Sequence, residues 1–309
     1  MTSGAAREAA AASGDNLALA IATIVVTVAI LSFGDAVIKF VSSDFLLWQI
    51  FVLRSLIAMP ALVAIGFARR GTGLAALRVV RPGWTLLRSV LLVAMWVVYY
   101  AALPHLKLSI AASAYYTLPI FITLFSAAFL RERVGLVGWG AVALGFVGVL
   151  LILAPSADDF NAFVLLPLVS AVCYALAMIL TRTKCRAEHP FALSLALNGA
   201  FVVAGLLGTL AGWLWGGGTS AYLLGSWTAM GLGQWGAMAI LAGSLIVGSV
   251  GAAIAYQLGA PSVVASYDFA YVGFAALWGA LFFQELPELR AVAGIVLIVA
   301  AGLIAVRRR

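Results

Sequence analysis

The chain alternates between long apolar runs and short polar interruptions. Ten runs can be bounded, at about 17–41, 45–68, 84–104, 107–130, 134–154, 161–182, 190–215, 231–258, 262–284 and 289–306. Each is close to the ~20 residues with which an α-helix crosses the hydrocarbon of a bilayer. Inside lipid the backbone must satisfy its own hydrogen bonds, so these runs predict helices. Some interruptions are only a few residues long, as at Ser42–Asp44, Pro104–Leu106 and Gly259–Pro261. Links that short make antiparallel neighbours of the helices they join. The longer links, 69–83, 183–189 and 216–230, are too short for a soluble domain. Residues 1–16 are small and polar without a basic start, which reads as a disordered cytoplasmic tail and not a signal peptide. The predicted fold class is all-α integral membrane.

Composition and charge sharpen this picture. Of 309 residues, 65% are hydrophobic and 9% charged, against roughly 25% charged in soluble domains. The net charge of +7 does not point to nucleic acid, because the basic residues sit at the ends of the apolar runs. With the N-terminus inside, the cytoplasmic face receives Arg7, Arg69, Arg70, Arg78, Arg81, Arg88, Arg131, Arg133, Arg182, Lys184, Arg186 and Arg307–Arg309. The outer face receives Lys39, Lys107 and Arg290, together with Asp158 and Asp159. This asymmetry predicts a multi-pass protein of the cell (inner) membrane with both termini cytoplasmic.

The runs contain an internal echo. Residues 112–132 (ASAYYTLPIFITLFSAAFLRE) align without a gap on 265–285 (ASYDFAYVGFAALWGALFFQE), with identity at Ala112, Ser113, Phe121, Leu124, Ala127, Phe129 and Glu132. Gly140 and Gly148 then match Gly294 and Gly302 after one extra residue. Each copy holds five spans, 17–154 and 161–306, and an odd number forces the second copy upside down. The turns agree: RER at 131–133 is net positive and QELPELR at 284–290 net negative, as opposite sides of a membrane require.

Two five-span halves, each with an A-x-x-Y-like run, an apolar helix closed by Glu and a Gly-rich last helix, resemble the drug/metabolite transporter superfamily, EamA type. The residues carrying this are Ala112–Tyr116, Pro119, Glu132, Gly140 and Gly148, then Ala265–Phe269, Glu285, Gly294 and Gly302. The second half departs from the first with Val272 in place of Pro119 and Asp268 in place of Tyr115. The resemblance implies ten transmembrane helices in two inverted five-helix repeats, a central cavity between them, and alternating access. Members of the family export amino acids and other metabolites, and some take up nucleoside- or vitamin-like compounds.

Charges buried in a bilayer cost ~2.5–3.5 kcal/mol on insertion scales, so each is a functional candidate. Asp35 and Lys39 are spaced to pair on one helix face, with Lys39 reaching towards water. Arg54 lies near mid-depth, either as a clamp to a neighbouring helix or as an anchor for a carboxylate. Asp268 has no basic neighbour in sequence and would share a helical face with Tyr271, Ala275 and Trp278. It can hold an amine, carry a coupling proton, or pair with Arg54 or Lys39. Trp96, Tyr99, Tyr115, Tyr116 and Tyr174 are candidate cavity-lining aromatics, since a tyrosine deep in a bilayer must place its hydroxyl somewhere polar. The tryptophans near span ends, Trp48, Trp84, Trp213, Trp215 and Trp227, read as an interfacial belt. His105 and His189 read as structural or solvated. Pro119 reads as a hinge, and the glycines of the fifth and eighth spans as packing seams.

No phosphate-binding loop, metal-ligand cluster or nucleophile–base arrangement is visible, so no cofactor, metal or enzymatic activity is expected. The expected function is secondary transport of a small organic metabolite. Efflux of an amino acid or related amine is the first reading, and uptake of a flat heterocyclic, nucleoside- or vitamin-like metabolite the alternative. The partners expected are that solute, the lipid bilayer and a coupling proton. The small-residue seams serve equally within one chain or across a homodimer. A lipid-headgroup enzyme and a non-transporting subunit are the rival classes.

Overall fold

The computed structural model describes residues 16–41, 46–68, 76–102, 105–106, 108–153, 162–214, 227–284 and 289–307. The N-terminal tail, the links at 42–45 and 69–75, Pro104, Lys107, Asp158, Asp159, Trp215, Glu285 and the side chain of Lys39 lie outside the described residues. The helices of the first half are α1 (Leu17–Val41), α2 (Leu47–Ala68), α3 (Pro82–Ala102), α4 (Leu108–Tyr115), α5 (Leu118–Phe129) and α6 (Leu136–Leu153). Those of the second are α7 (Leu165–Thr183), α8 (Pro190–Leu214), α9 (Leu232–Leu258), α10 (Pro261–Asp268), α11 (Ala270–Phe283) and α12 (Leu289–Arg307). Eight helical stretches have the length and hydropathy to cross a membrane, and two shorter apolar helices complete the set. The protein is a ten-span, all-helical membrane protein built as two inverted five-span repeats.

Two spans expected to be continuous are broken. The fourth is interrupted at Tyr116–Thr117, between α4 and α5, and the ninth at Phe269, between α10 and α11. In the first break Pro119 is the cause: its ring excludes the carbonyl four residues earlier and it has no N–H to donate. Thr117 adds a local competitor by donating its hydroxyl to the Ala114 carbonyl at 2.6 Å. The second break has no proline. There Phe269 is fully buried, and its ring fills the notch left by Gly145, where a Cβ would lie 2.5 Å from the ring. Tyr116 and Phe269 are equivalent in the repeat and join one apolar cluster with Val149 and Ile298.

The packing repeats with the sequence. α1 pairs with α9 as α3 pairs with α7, and α11 lies on α1 as α5 lies on α7. α2 packs on α8 and α6 on α12, each pair joining the two halves. At the α6–α12 crossing the backbones touch: a Cβ on Gly148 would meet the Gly294 carbonyl at 2.7 Å, and one on Gly294 the Gly148 carbonyl at 2.5 Å. This is why these positions carry glycine.

The symmetry is incomplete in one respect. α5 packs on α10 and α7 on α9 at the end carrying Arg131, Arg133, Arg182 and Lys184, the basic end. Among the described residues the equivalent pairs at the far end, α4 with α11 and α1 with α3, barely touch. Among the described residues the halves pack more closely at the basic end than at the far end.

Arg88, counted among the cytoplasmic-face cations, is buried: it sits in α3 with 1% exposure and donates from Nε to the Thr181 hydroxyl of α7 at 2.6 Å. Trp48, near the start of α2, packs on α8 over Gly208. Trp84, Trp213 and Trp227 keep exposed apolar surface, as a belt requires. His105 stacks on Phe163 at 3.9 Å and His189 accepts the Phe191 N–H at 3.3 Å, both local structural roles.

Candidate functional site

The two helix breaks place aromatic and acidic side chains against one another. From α3, Trp96 stacks on Tyr100 at 5.4 Å, and Tyr100 meets Tyr99 at 6.0 Å. Tyr99 contacts Tyr115 at 5.2 Å, Tyr115 meets Tyr116 at 5.6 Å, and Tyr116 meets Tyr271 at 5.6 Å. The result is a continuous aromatic chain from the third span, through the first break, to the ninth. Trp96, Tyr99, Tyr100, Tyr115, Tyr174 and Tyr271 are all half-buried. These rings pack against the main apolar core and keep part of their surface accessible.

Two carboxylates flank this chain. Asp35 of α1 accepts the Tyr271 hydroxyl, which ties the first half to the second. Asp268, the last residue of α10 and 4% exposed, accepts the Tyr256 hydroxyl of α9. Tyr115 is within electrostatic reach of both acids, and Tyr174 of Asp268 and Arg88. Each acid is thus held by one tyrosine hydroxyl, and the two are bridged by further phenols.

Arg54 sits behind the site. Its guanidinium lies 4.6 Å from the Phe201 ring, 5.0 Å from Phe51 and 5.5 Å from Trp96, and acts electrostatically on Asp35. Cation–π attraction to the buried Phe51 and Phe201 rings and the half-buried Trp96 ring offsets part of the cost of burying this charge.

All nine sequence candidates, Asp35, Arg54, Trp96, Tyr99, Tyr115, Tyr116, Tyr174, Asp268 and Tyr271, therefore fall into one connected group. Their detailed partners differ from expectation. Asp268 accepts its hydrogen bond from the Tyr256 hydroxyl of α9. Asp35 accepts from Tyr271 of another span, and its expected pairing with Lys39 falls on a side chain outside the described residues. The expected common face of Asp268, Tyr271, Ala275 and Trp278 is cut at Phe269. Trp278 turns instead to α1, donating to the Ser32 hydroxyl at 3.1 Å and packing on Phe33. Tyr256 and Tyr100, visible as intramembrane tyrosines, belong to the group. Phe51 and Phe201 gave no signal, since an apolar ring in an apolar helix is unremarked until its neighbour is known. Among the described residues no cluster of His, Cys, Asp and Glu is arranged for a metal.

Comparison with known proteins fits this architecture. Residues 18–154 match the model of the EamA-like transporter family. The chain is 31% identical over 251 residues to a riboflavin transporter of Rhizobium johnstonii, covering 80% of this chain and 77% of that protein. The chain belongs to the EamA-like transporter family. As an EamA-like protein of the drug/metabolite transporter superfamily it is a transporter of small molecules and not an enzyme. It is also 29% identical to a riboflavin transporter of Vibrio cholerae, over 81% of this chain and 78% of that one. To a pseudopaline exporter of Pseudomonas aeruginosa it is 28% identical, over 70% of this chain and 72% of that one. The EamA-like fold itself is matched by a crystal structure with a TM-score of 0.79 at 18% identity, covering 95% of this chain and 99% of the other.

Proposed function

We propose that the protein takes up a flat heterocyclic metabolite of the riboflavin class by alternating access, with a proton as coupling ion. The observation that carries this is the aromatic chain Trp96–Tyr100–Tyr99–Tyr115–Tyr116–Tyr271. A planar ring system gains most from stacking on such rings, and the phenolic hydroxyls offer donors to ring carbonyls and nitrogens. The names of the relatives that cover most of this chain point the same way. Asp268 is the coupling candidate, because a single carboxylate reached by Tyr256, Tyr115 and Tyr174 can exchange a proton without leaving the site.

Efflux of an amino acid or related amine is the second reading. It is favoured by the two carboxylates, which suit a cationic solute, and by the likeness to a pseudopaline exporter. With the basic end in the cytoplasm, the closer packing at that end suits a state closed to the cytoplasm, which either direction of transport visits.

The test is uptake in cells that cannot import riboflavin themselves. Expression of this chain gives saturable accumulation of labelled riboflavin, and an excess of unlabelled flavin suppresses it. No accumulation, with resistance to a toxic amino acid analogue instead, supports the second reading and removes the first.

A further inference from the structure

Glu132, just beyond α5, joins helices of different halves. Its carboxylate accepts the hydroxyl of Ser126 near the end of α5 and the hydroxyl of Ser262 at the start of α10. Both serines are buried, at 0% and 5% exposure, so each hydroxyl has exchanged water for the carboxylate. The backbone sets the aim. Arg131 takes the left-handed conformation, φ 54°, and the Glu132 N–H returns to the Ser126 carbonyl at 3.3 Å. Helices commonly end this way on glycine, and an arginine there is strained. Among the described residues the other non-glycine at positive φ is Gln284, φ 57°, the repeat equivalent of Arg131. A costly turn used twice, at matched positions, indicates that the position of the next side chain matters.

Glu132 stands on the seam that is closed. α5 packs on α10 at the basic end, whereas among the described residues the symmetry-related pair at the far end barely touches. A solute leaving the aromatic chain towards the basic end must part this seam, and the Glu132–Ser262 contact crosses it.

We propose that Glu132 is the latch of the basic end: its bond to Ser262 holds that end closed, and its release lets that end open. This rests on the alternating-access reading above, and not on the identity of the solute. Glu132 touches no residue of the aromatic chain, so it is a positioning residue for the transport cycle.

The native Cys185 reports on it. The thiol lies at the basic end with 0% exposure, its carbonyl held by the Gln257 side chain at 2.8 Å, and burial pushes its pKa up. A thiol both shielded and short of thiolate reacts slowly until the end opens. In full-length protein carrying Cys173→Ser, the rate of maleimide labelling is measured in the absence of any solute. Glu132→Gln is expected to raise it about tenfold and Ser262→Ala about threefold, the range set by losing a charge-assisted hydrogen bond. Rates within twofold of the parent for the folded variants overturn the latch. So does an equal rise at a far-end cysteine, Phe33→Cys in a Cys185→Ser background, because that marks general loosening. If Glu132→Gln does not fold, Ser262→Ala, which removes one hydroxyl only, decides alone. The readout needs no transport, so the latch can stand where riboflavin uptake fails, and the reverse.

Discussion

Tyr115 and Asp268 occupy the same position in the two halves, and each is the last residue before its span breaks. They lie within electrostatic reach of each other across the interface of the halves. An inverted duplication brings equivalent positions together at its axis, so a difference between the copies there becomes a difference within one site. A phenol thus stands in one half where a carboxylic acid stands in the other. Asp268→Asn keeps the shape and an acceptor for the Tyr256 hydroxyl. It is expected to lower the initial uptake rate at least ~10-fold and to abolish its response to an imposed proton gradient. Uptake by vesicles with and without the gradient measures both.

The Tyr271–Asp35 bond joins the halves at the other carboxylate. Removing the hydroxyl in Tyr271→Phe leaves that acid short of a donor, and a hydrogen bond to a charged group is worth about 1.5–3 kcal/mol. Solute affinity is expected to fall about tenfold or more. The same substitution in an Asp35→Asn background is expected to do much less, because the pair acts as a unit. Additive losses in a titration of the four proteins contradict the pairing.

Arg54 is held by ring faces, and Lys is not its equivalent there. Arg54→Lys keeps the charge but concentrates it in a strongly hydrated ammonium that cannot lie flat between Phe51, Trp96 and Phe201. A loss of about 1–2 kcal/mol in stability is expected. Thermal melting in detergent should show it with or without solute, which separates a clamp from a solute anchor.

The α6–α12 seam gives a contrast within one motif. A Cβ at Gly148 or Gly294 enters the carbonyl of the opposite helix, whereas Gly140 has nothing within 4 Å. Gly148→Ala and Gly294→Ala are expected to cost about 1–3 kcal/mol each, as overpacking does. Gly140→Ala is expected to be neutral in the same melting assay.

Much of this was legible from residues alone, and the reasons are specific. Span number followed from hydropathy, because bilayer thickness fixes helix length. Inversion followed from counting: five spans per copy, with RER opposed to QELPELR. The site candidates were legible because polar groups in lipid must be accounted for, which singled out Asp35, Arg54, Asp268 and the tyrosines. Partners were not legible, since Tyr256 reaches Asp268 across the turn between α9 and α10 and the length of α10, which no periodicity marks. Pro119 suggested a bend in the fourth span, but the ninth breaks at Phe269 on account of a notch in another helix, Gly145. Arg88 misled because its place near a span end fits a loop cation as well as a buried donor to Thr181.

The most direct test of the central claim is substrate flux through purified protein. Proteoliposomes holding the wild type or Asp268→Asn are loaded with buffer and offered labelled riboflavin, with and without an inward proton gradient. The wild type is predicted to show saturable uptake that the gradient accelerates, and Asp268→Asn to show little uptake and no acceleration. Equal, gradient-driven uptake by both proteins, or none by the wild type, contradicts the account.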